Sequence, residues 1–264
     1  MDAERHAVVA ARHRDDVIAT DRVDDLLELF PLHDQFAKAP RVVAITDLRA
    51  WRGHAWRLHP LVPPALRQRA GRLIHPLECE RRLLAYALHR VVVALALGRD
   101  LHRVEVGRMS SGMPMVAGLP NVATSLSHSD DFLAIAVARD AGPVGVDIEA
   151  MDRTTTLDGL AASVLHPHES IGSGEMLVDA WVRKEAVLKA IGSGLSIDMN
   201  TFHCRQGIAV DGLPAATGLR AWSLRAFAGR ARLGISASVP DGVLARLDPG
   251  NVDVVSLRER VAWM

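Results

Sequence analysis

The chain has 264 residues, 31 basic and 31 acidic side chains, and 49% hydrophobic residues. That length can bury a sizeable core, in one large domain or in two small lobes. A net charge near zero provides no long-range field for nucleic acid or for a membrane surface. The longest apolar run, residues 91–97, is much shorter than the roughly 20 residues that span a bilayer.

Two features place the protein in a cellular compartment. The cysteines Cys79 and Cys204 are far apart and lack C-x-x-C spacing, which favours free thiols in a reducing environment. The N-terminus, M-D-A-E-R-H, lacks the pattern of a signal peptide. We therefore expect a soluble cytoplasmic protein that binds neither nucleic acid nor membranes.

Turn residues and hydrophobic spacing predict the elements of the first half. After about forty residues of mixed charge, with one amphipathic helix near 22–30, a strand is expected at 41–47 and a helix at 65–74. Pro76 fits the first turn of the next helix, which runs to residue 97 and ends at Gly98. A short strand at 102–106, a polar run at 124–129 and strands at 132–138 and 144–149 follow.

The helix expected at 174–191 has the most unusual composition. Gly192 ends it, and apolar residues surround it nearly completely, which is typical of a buried helix. Lys184, Glu185 and Lys189 nevertheless lie within the apolar arc, where an unpaired charge is costly. We expect these charges to face a polar ligand or a metal ion, although a simple Glu185–Lys189 pair on a solvated face is the alternative.

Both halves show a long helix closed by glycine and then a strand hairpin. In the second half the hairpin strands are expected at 219–227 and 231–239, and one more strand near 252–256. The repeat predicts an α+β pseudo-dimer of two similar lobes, each a long helix packed on a small, mainly antiparallel sheet. We expect an N-terminal lobe at 1–143, with 1–40 as a variable extension, and a C-terminal lobe at 144–264 that holds the metal site. The active-site cleft would lie between them.

Three acidic residues form the candidate metal site. Residues two apart on a strand project to the same side, so Asp147 and Glu149 point together. If the buried helix crosses this strand, Glu185 joins them. Two carboxylates about 4 Å apart repel by about 4 kcal/mol at an effective dielectric of about 20, so three need a divalent cation to stay ionised together. All-oxygen ligands favour Mg²⁺, which shares its shell with water and phosphate oxygens.

A Mg²⁺ site of this kind predicts chemistry on a phosphate ester or a pyrophosphate. Lys184, Lys189, Arg69 and Arg81 are candidates to balance the remaining phosphate charge. For Arg81 and its neighbour at the helix start, neutralisation by glutamates at 78 and 80 is the alternative. The sequence H-P-H-E at 166–169 could suggest a transition metal, but this spacing is more typical of surface residues.

Four ordered motifs resemble those of the 4′-phosphopantetheinyl transferases. G-V-D-I-E at 145–149 and W-V-R-K-E-A-V-L-K at 181–189 resemble the family's paired signatures, G-[IV]-D-[IV]-E and W-x-x-K-E-x-x-x-K. S-L-S-H-S at 125–129 is similar to N-[IL]-S-H-S, and R-R-L-L-A-Y-A-L-H-R at 81–90 is similar to the helix R-x-L-L-G-x-x-L-x-R. The resemblance covers roughly residues 41–240, and the length fits the larger, single-chain, surfactin-synthetase-activating type.

The resemblance implies transfer of the phosphopantetheine arm of coenzyme A to a serine of an apo acyl or peptidyl carrier protein, with release of 3′,5′-ADP. By position, Asp147, Glu149 and Glu185 would hold Mg²⁺ on the pyrophosphate. Glu185 would also serve, directly or through water, as the base for the carrier serine. Lys189 would stabilise charge on the phosphate under attack. We expect a monomer that serves fatty-acid, polyketide or non-ribosomal-peptide synthesis.

The resemblance also implies a nucleotide site and exposes two departures from the family pattern. Ser127, His128, Arg69, Arg81 and Lys189 would bind coenzyme A. The family's G-K-P is G-M-P at 112–114, so a phosphate-binding lysine is replaced by methionine, and the asparagine before S-H-S is serine at 125. Arg108 or the arginines at 67–72 could compensate. Two other functions remain open: a binding module with a degraded nucleotide site, and a Mg²⁺ phosphohydrolase that needs no carrier.

Overall fold

The computed structural model describes residue 30 and residues 33–153, 157–169 and 174–262. The helix expected near 22–30 lies outside the described residues except for Phe30, which is buried against the ring of Trp51. In the part of the chain that the structure describes, no helix combines the length and the apolarity that crossing a bilayer requires.

The described ranges contain both helices and strands. The helices are α1 (His33–Lys38), α2 (Ala55–Leu58), α3 (Pro64–Ala70), α4 (Pro76–Leu97), α5 (Ala161–Val164), α6 (Gly174–Ile191) and α7 (Leu257–Ala262). The strands are β1 (Arg41–Asp47), β2 (Val106–Arg108), β3 (Pro114–Val116), β4 (Val122–Ser129), β5 (Phe132–Arg139), β6 (Gly145–Ala150), β7 (Arg220–Ala226), β8 (Ala231–Ala237), β9 (Val243–Asp248) and β10 (Asn251–Ser256).

A five-stranded sheet has the order β10-β9-β1-β5-β4 and is antiparallel except where β1 and β9 run parallel. Strands β9 and β10 come from the end of the chain and complete the sheet of the first half. Strand β9 pairs with β1, and β10 pairs with β9, so residues 243–256 lie in the same sheet as strands of the first half. Helix α4 packs on this sheet through a large apolar cluster.

A three-stranded antiparallel sheet has the order β6-β8-β7, and α6 lies across it. One face of this sheet packs on the five-stranded sheet through residues such as Val146, Ile148 and Ile235. The layers therefore follow in the order α4, five-stranded sheet, three-stranded sheet, α6. Because side chains alternate along a strand, Gly145, Asp147 and Glu149 of β6 must point to the α6 side.

The α+β class with small, mainly antiparallel sheets is confirmed, as are the bounds of α4 and α6. Gly98 and Gly192 end these helices in left-handed conformations, with φ of 58° and 72°. The polar run at 124–129 proves to be part of β4, which the sequence did not predict as a strand. Its serines are buried all the same, because their hydroxyl groups form hydrogen bonds across to β6.

Candidate active site

Strand β4 is attached to the open edge of β6 by three alternate serines. Ser125 Oγ accepts a hydrogen bond from the backbone N–H of Val146 at 3.1 Å, and Ser129 Oγ accepts one from that of Ala150 at 3.2 Å. The hydroxyl groups of Ser127 and Ser129 donate to Asp147 Oδ1 and Glu149 Oε2, each at 2.7 Å. These contacts fix the carboxylates of Asp147 and Glu149 at the place where β4 of one sheet meets β6 of the other. We call this place the carboxylate seam.

Helix α6 approaches β6 closely enough to place its own charges over this seam. Lys189 Nζ lies 2.6 Å from Asp147 Oδ1 and 2.9 Å from Ser127 Oγ. Its distance to Glu185 Oε2, one turn earlier on the helix, is 4.0 Å. Asp147 is 3% exposed and Glu185 is 9% exposed, so these charges interact away from bulk water. The structure brings together Asp147, Glu185, Lys189 and Ser127, with Glu149 on the same strand face.

The ionisation of Glu185 is strongly perturbed at this seam. Burial, together with the negative charges of Asp147 and Glu149, raises its pKa from the ordinary value of 4.5 to about 7 against the opposing effect of Lys189. Glu185 can therefore take up or release a proton near neutral pH. A carboxylate with this property is suited to act as a general base.

The second oxygen of Asp147, Oδ2, is buried without a hydrogen-bond partner. A buried carboxylate oxygen in this state loses solvation without compensation. Among the residues that the structure describes, no group of three or more His, Cys, Asp or Glu side chains is arranged so that it could hold a metal ion. In this arrangement the ammonium group of Lys189, not a ligand cluster, balances the charge of Asp147.

Lys184 does not belong to this site, although the sequence placed it among the phosphate-binding candidates. Its side chain is fully buried on another side of α6, where Nζ donates to the carbonyl oxygens of Val164 and Met199 at 2.8 and 2.9 Å. It also contacts Glu169 Oε2 at 2.6 Å. With its donors used in this way, Lys184 holds the segment before α6 and the segment after it against the helix.

Arginines line a cleft between α3 and α4. Arg69, Arg72, Arg82 and Tyr86 border a volume of about 290 Å³. A neighbouring cleft of about 330 Å³ shares Arg69 and Arg72 and adds Arg108. The Nε of Arg82 is buried without a hydrogen-bond partner. Several guanidinium groups in one concave surface, one of them with an unsatisfied buried donor, favour an anionic ligand.

Arg81 is engaged elsewhere, in an ion-pair network at the start of α4. Its Nε lies 2.8 Å from Asp131 Oδ1, and its Nη1 lies 2.5 Å from Glu78 Oε1. The hydrogen bond with Asp131 raises the pKa of Arg81, as does the one with Glu78. The alternative considered from the sequence, in which glutamates neutralise Arg81, is thus observed for Glu78. Asp131 is a second acidic partner, which the fold brings to Arg81 from a distant part of the sequence.

His128 connects the arginine cleft with the carboxylate seam. Burial, together with the positive charges of Arg82, Lys189 and Arg81, lowers its pKa to about 4 against the opposing effect of Glu78. His128 is therefore neutral at pH 7, and it can donate or accept one hydrogen bond at each ring nitrogen according to its tautomer. Because the charges of Arg82 and Lys189 both act on His128, it lies near both regions.

The loop that carries Met113 lies against the end of α6. A β-carbon at Gly192 would be 2.7 Å from Met113 Sδ, so the thioether packs directly on this glycine. Arg108 Nη1 donates to the carbonyl oxygen of Gly112 at 2.5 Å, and its guanidinium lies over the ring of Tyr86, 5.6 Å from the centroid. Arg108 therefore joins the loop to the arginine cleft.

Sequence reasoning missed Tyr86 as a member of the cleft and considered Arg82 only together with Arg81 at the helix start. Arg82 and Tyr86 lie four residues apart on α4, and this helical spacing was the available signal. His166 and His168, which the sequence favoured as surface residues, lie beside His203, with ring centroids 3.7 to 5.9 Å apart. These three histidines are among the described residues, in which no group of three or more His, Cys, Asp or Glu side chains could hold a metal ion.

Comparison with known proteins finds related enzymes. The model of the 4′-phosphopantetheinyl transferase superfamily matches residues 143–228, which include β6 and α6. A 4′-phosphopantetheinyl transferase of Bacillus subtilis is 29% identical over 161 residues, which cover 58% of this chain and 70% of the relative. The transferase psf-1 of Bacillus pumilus is 27% identical over 157 residues, 56% of this chain and 66% of the relative.

The fold and these similarities support an enzyme of the 4′-phosphopantetheinyl transferase type, and the match to the superfamily covers residues 143–228. Sfp of Bacillus subtilis (strain 168) is a further similar protein, with 24% identity over 155 residues, 56% of this chain and 68% of the relative.

Proposed function

We propose that this enzyme transfers the 4′-phosphopantetheine arm of coenzyme A to a serine of an apo acyl or peptidyl carrier protein. The reaction would depend on Mg²⁺ and release 3′,5′-ADP. The observation that carries the proposal is the contact of α6 with β6, which couples Glu185 electrostatically to Asp147 and Glu149 beside Lys189. A proton acceptor with a pKa of about 7 then lies next to a cation, as phosphoryl transfer to a hydroxyl group requires.

The donor chemistry of the seam fits Mg²⁺. Asp147, Glu149 and Glu185 offer only oxygen ligands, and Asp147 Oδ2 is buried without a partner. Bound there, Mg²⁺ would neutralise these carboxylates and the pyrophosphate oxygens of the substrate. Lys189, which contacts Asp147 Oδ1 in the structure, would have to release that oxygen for the three carboxylates to act as ligands together.

The residues of α6 would divide the remaining work. Glu185 would accept the proton of the carrier serine, because its raised pKa makes it a stronger base than an ordinary glutamate. Lys189, released from Asp147, would donate to an oxygen of the phosphate under attack and stabilise its growing charge. Ser127 and Ser129 would keep the β6 carboxylates oriented throughout.

The arginine cleft would bind the nucleotide end of coenzyme A. Arg69 and Arg82 border it, and the charges of Arg82 and Lys189 both act on His128. Because His128 is neutral at pH 7, the ring nitrogen that carries its proton could donate a hydrogen bond to a phosphate oxygen. We assign Arg81 a supporting role at the start of α4, because Asp131 and Glu78 already occupy its guanidinium. Arg108 supplies a cation near the loop that carries Met113.

The test is to incubate the protein with coenzyme A, Mg²⁺ and a panel of apo carriers, and then to measure pantetheinylation of the carrier serine by mass. A carrier with its serine replaced by alanine is the control for the acceptor, and Glu185→Gln is the control for the enzyme. We expect modification of at least one carrier, with stoichiometric 3′,5′-ADP. Release of 3′,5′-ADP without a carrier would instead indicate a phosphohydrolase, and coenzyme A binding without turnover a binding module.

A further inference from the structure

A second cleft lies along the sheet interface at the edge remote from the carboxylates. Its volume is about 470 Å³, which is within the range of small-molecule sites. Strands β7, β9 and β10 border it, whereas the carboxylates lie at the opposite edge, where β4 meets β6. Because both sheets contribute to its walls, the cleft is part of the packed body of the protein.

The floor of this cleft is apolar. It is formed by Ile45, Leu224, Phe227, Leu233 and Leu244, each at most 8% exposed. A polar group placed on this floor would lose its hydration without gaining hydrogen bonds, which is unfavourable. The floor therefore favours an aliphatic ligand segment, whose burial is stabilised by the hydrophobic effect.

The rim carries an excess of positive charge. Its ionisable side chains are Arg225, Arg246, Arg260 and Asp253. Arg246 donates to Asp248 Oδ2 at 3.0 Å and lies opposite Asp253 in the register of β9 and β10. Even with Asp248 included, arginines outnumber acids at the rim. A cationic ligand is therefore disfavoured, and an anionic head group is favoured.

One wall of the cleft is held in an uncommon backbone conformation. Phe227 and Ala228 have φ of 51° and 56°, values that residues with a β-carbon rarely adopt. The ring of Phe227 stacks on Phe132 with a centroid distance of 4.8 Å, and the guanidinium of Arg246 lies 5.6 Å from its centroid. The wall thus fixes an arginine directly above the apolar floor before any ligand arrives.

We propose that this cleft binds an aliphatic monocarboxylate, with its chain on the apolar floor and its carboxylate at the arginines. Planar guanidinium groups match a carboxylate with two parallel hydrogen bonds, so they can recognise this head group specifically. An alcohol of the same chain length would gain only the apolar contacts. The site is separate from the transferase seam and does not depend on the transfer reaction.

The binding test uses the full chain without coenzyme A or carrier. Octanoate, octanol and octylammonium are titrated below their micelle-forming concentrations, and heats are measured by isothermal titration calorimetry. We expect octanoate to bind about tenfold more tightly than octanol, in keeping with charged hydrogen bonds, and octylammonium to bind more weakly still. Absence of octanoate binding, or equal affinity for octanol, would overturn the proposal.

Matched variants locate the binding. Arg260 and Arg258 are both exposed on α7, but only Arg260 borders the cleft. We expect Arg260→Gln to weaken octanoate binding about tenfold and Arg258→Gln to change it less than twofold. Val255→Trp fills the mouth from an exposed position and should abolish binding, with thermal unfolding showing that the variant is folded. A folded Val255→Trp variant that binds octanoate normally would contradict this location.

Discussion

Gly145 on β6 lies so close to Ala186 on α6 that a β-carbon at Gly145 would overlap the carbonyl oxygen of Ala186. A second glycine, Gly234 on β8, stands in the same relation to the carbonyl oxygen of Val182. The two glycines let the helix rest directly on two neighbouring strands. This close approach is what brings Glu185 and Lys189 to Asp147.

We expect Gly145→Ala to lower the free energy of unfolding by about 3 kcal/mol, because backbone atoms on both sides would have to shift. The same shift should move α6 away from β6. Transfer activity should then fall by more than the loss of folded protein alone explains. Gly53→Ala is the matched control, since nothing lies within 4 Å of its added β-carbon. Denaturant unfolding and kcat/KM on the soluble fraction would check this. Equal stability of the two variants would contradict the packing described.

Glu185→Gln should abolish transfer while the protein stays folded, and its stability should depend on pH in a defined way. The pKa of Glu185 is raised from 4.5 to about 7 in the folded protein. The contribution of its protonated form to stability is therefore full below pH 4.5 and is lost as the pH rises through 7. Between these two pH values, the free energy of unfolding of the wild type should fall by up to roughly 3 kcal/mol relative to that of Glu185→Gln.

Denaturant unfolding at pH 5 and pH 8, without divalent ions, measures this difference. Added Mg²⁺ should recover part of the loss in the wild type at pH 8 and none in Glu185→Gln, if the three carboxylates hold the ion. Identical pH profiles for the two proteins would show that Glu185 is not the perturbed acid.

Arg82→Gln and Arg81→Gln should separate ligand binding from stability. Arg82 borders the arginine cleft, so we expect its loss to raise the KM for coenzyme A about tenfold with little effect on unfolding. Arg81 is 12% exposed and paired with Asp131 and Glu78, so its loss should lower the free energy of unfolding by about 1–2 kcal/mol. Steady-state kinetics and unfolding of both variants give the comparison. The opposite pattern would restore Arg81 as the ligand residue.

The sequence could predict the parts of the fold and site that depend on local pattern. The bounds of α6 follow from its periodicity and from Gly192, and the pairing of Asp147 with Glu149 follows from strand alternation. Strand β9 was missed because its parallel partner β1 lies about 200 residues earlier, and no local signal encodes that pairing. The role of Lys184 was also missed, and that of Arg81 was considered only for its local partner Glu78, since Glu169 and Asp131 are brought to these cations only by the folded chain.

Met113→Lys should tighten coenzyme A binding without altering the chemical step. Met113 packs on Gly192 at the end of α6, and its loop is joined to the arginine cleft through Arg108. A lysine there would add a cation near the bound phosphates, so we expect a several-fold lower Kd that weakens with added salt. Met115→Lys, at a partly exposed position on β3, is the control for charge alone. Unchanged or weaker binding in Met113→Lys would remove this account of the loop.

Lys184→Met should destabilise the protein although it leaves the reacting groups in place. Burial lowers the pKa of Lys184, but its ammonium group remains bonded to Glu169 and to two carbonyl oxygens. Removing the cation leaves Glu169 without its charge partner, a loss of about 3 kcal/mol for a buried pair. Lys189→Arg, which keeps a cation beside Asp147 but changes the position of its donors, should have the reverse profile: a small change in unfolding and a large loss of kcat. Unfolding and kinetics measured on both variants would show whether one lysine of α6 is structural and the other functional. An equal loss of kcat in both variants at unchanged stability would refute this assignment.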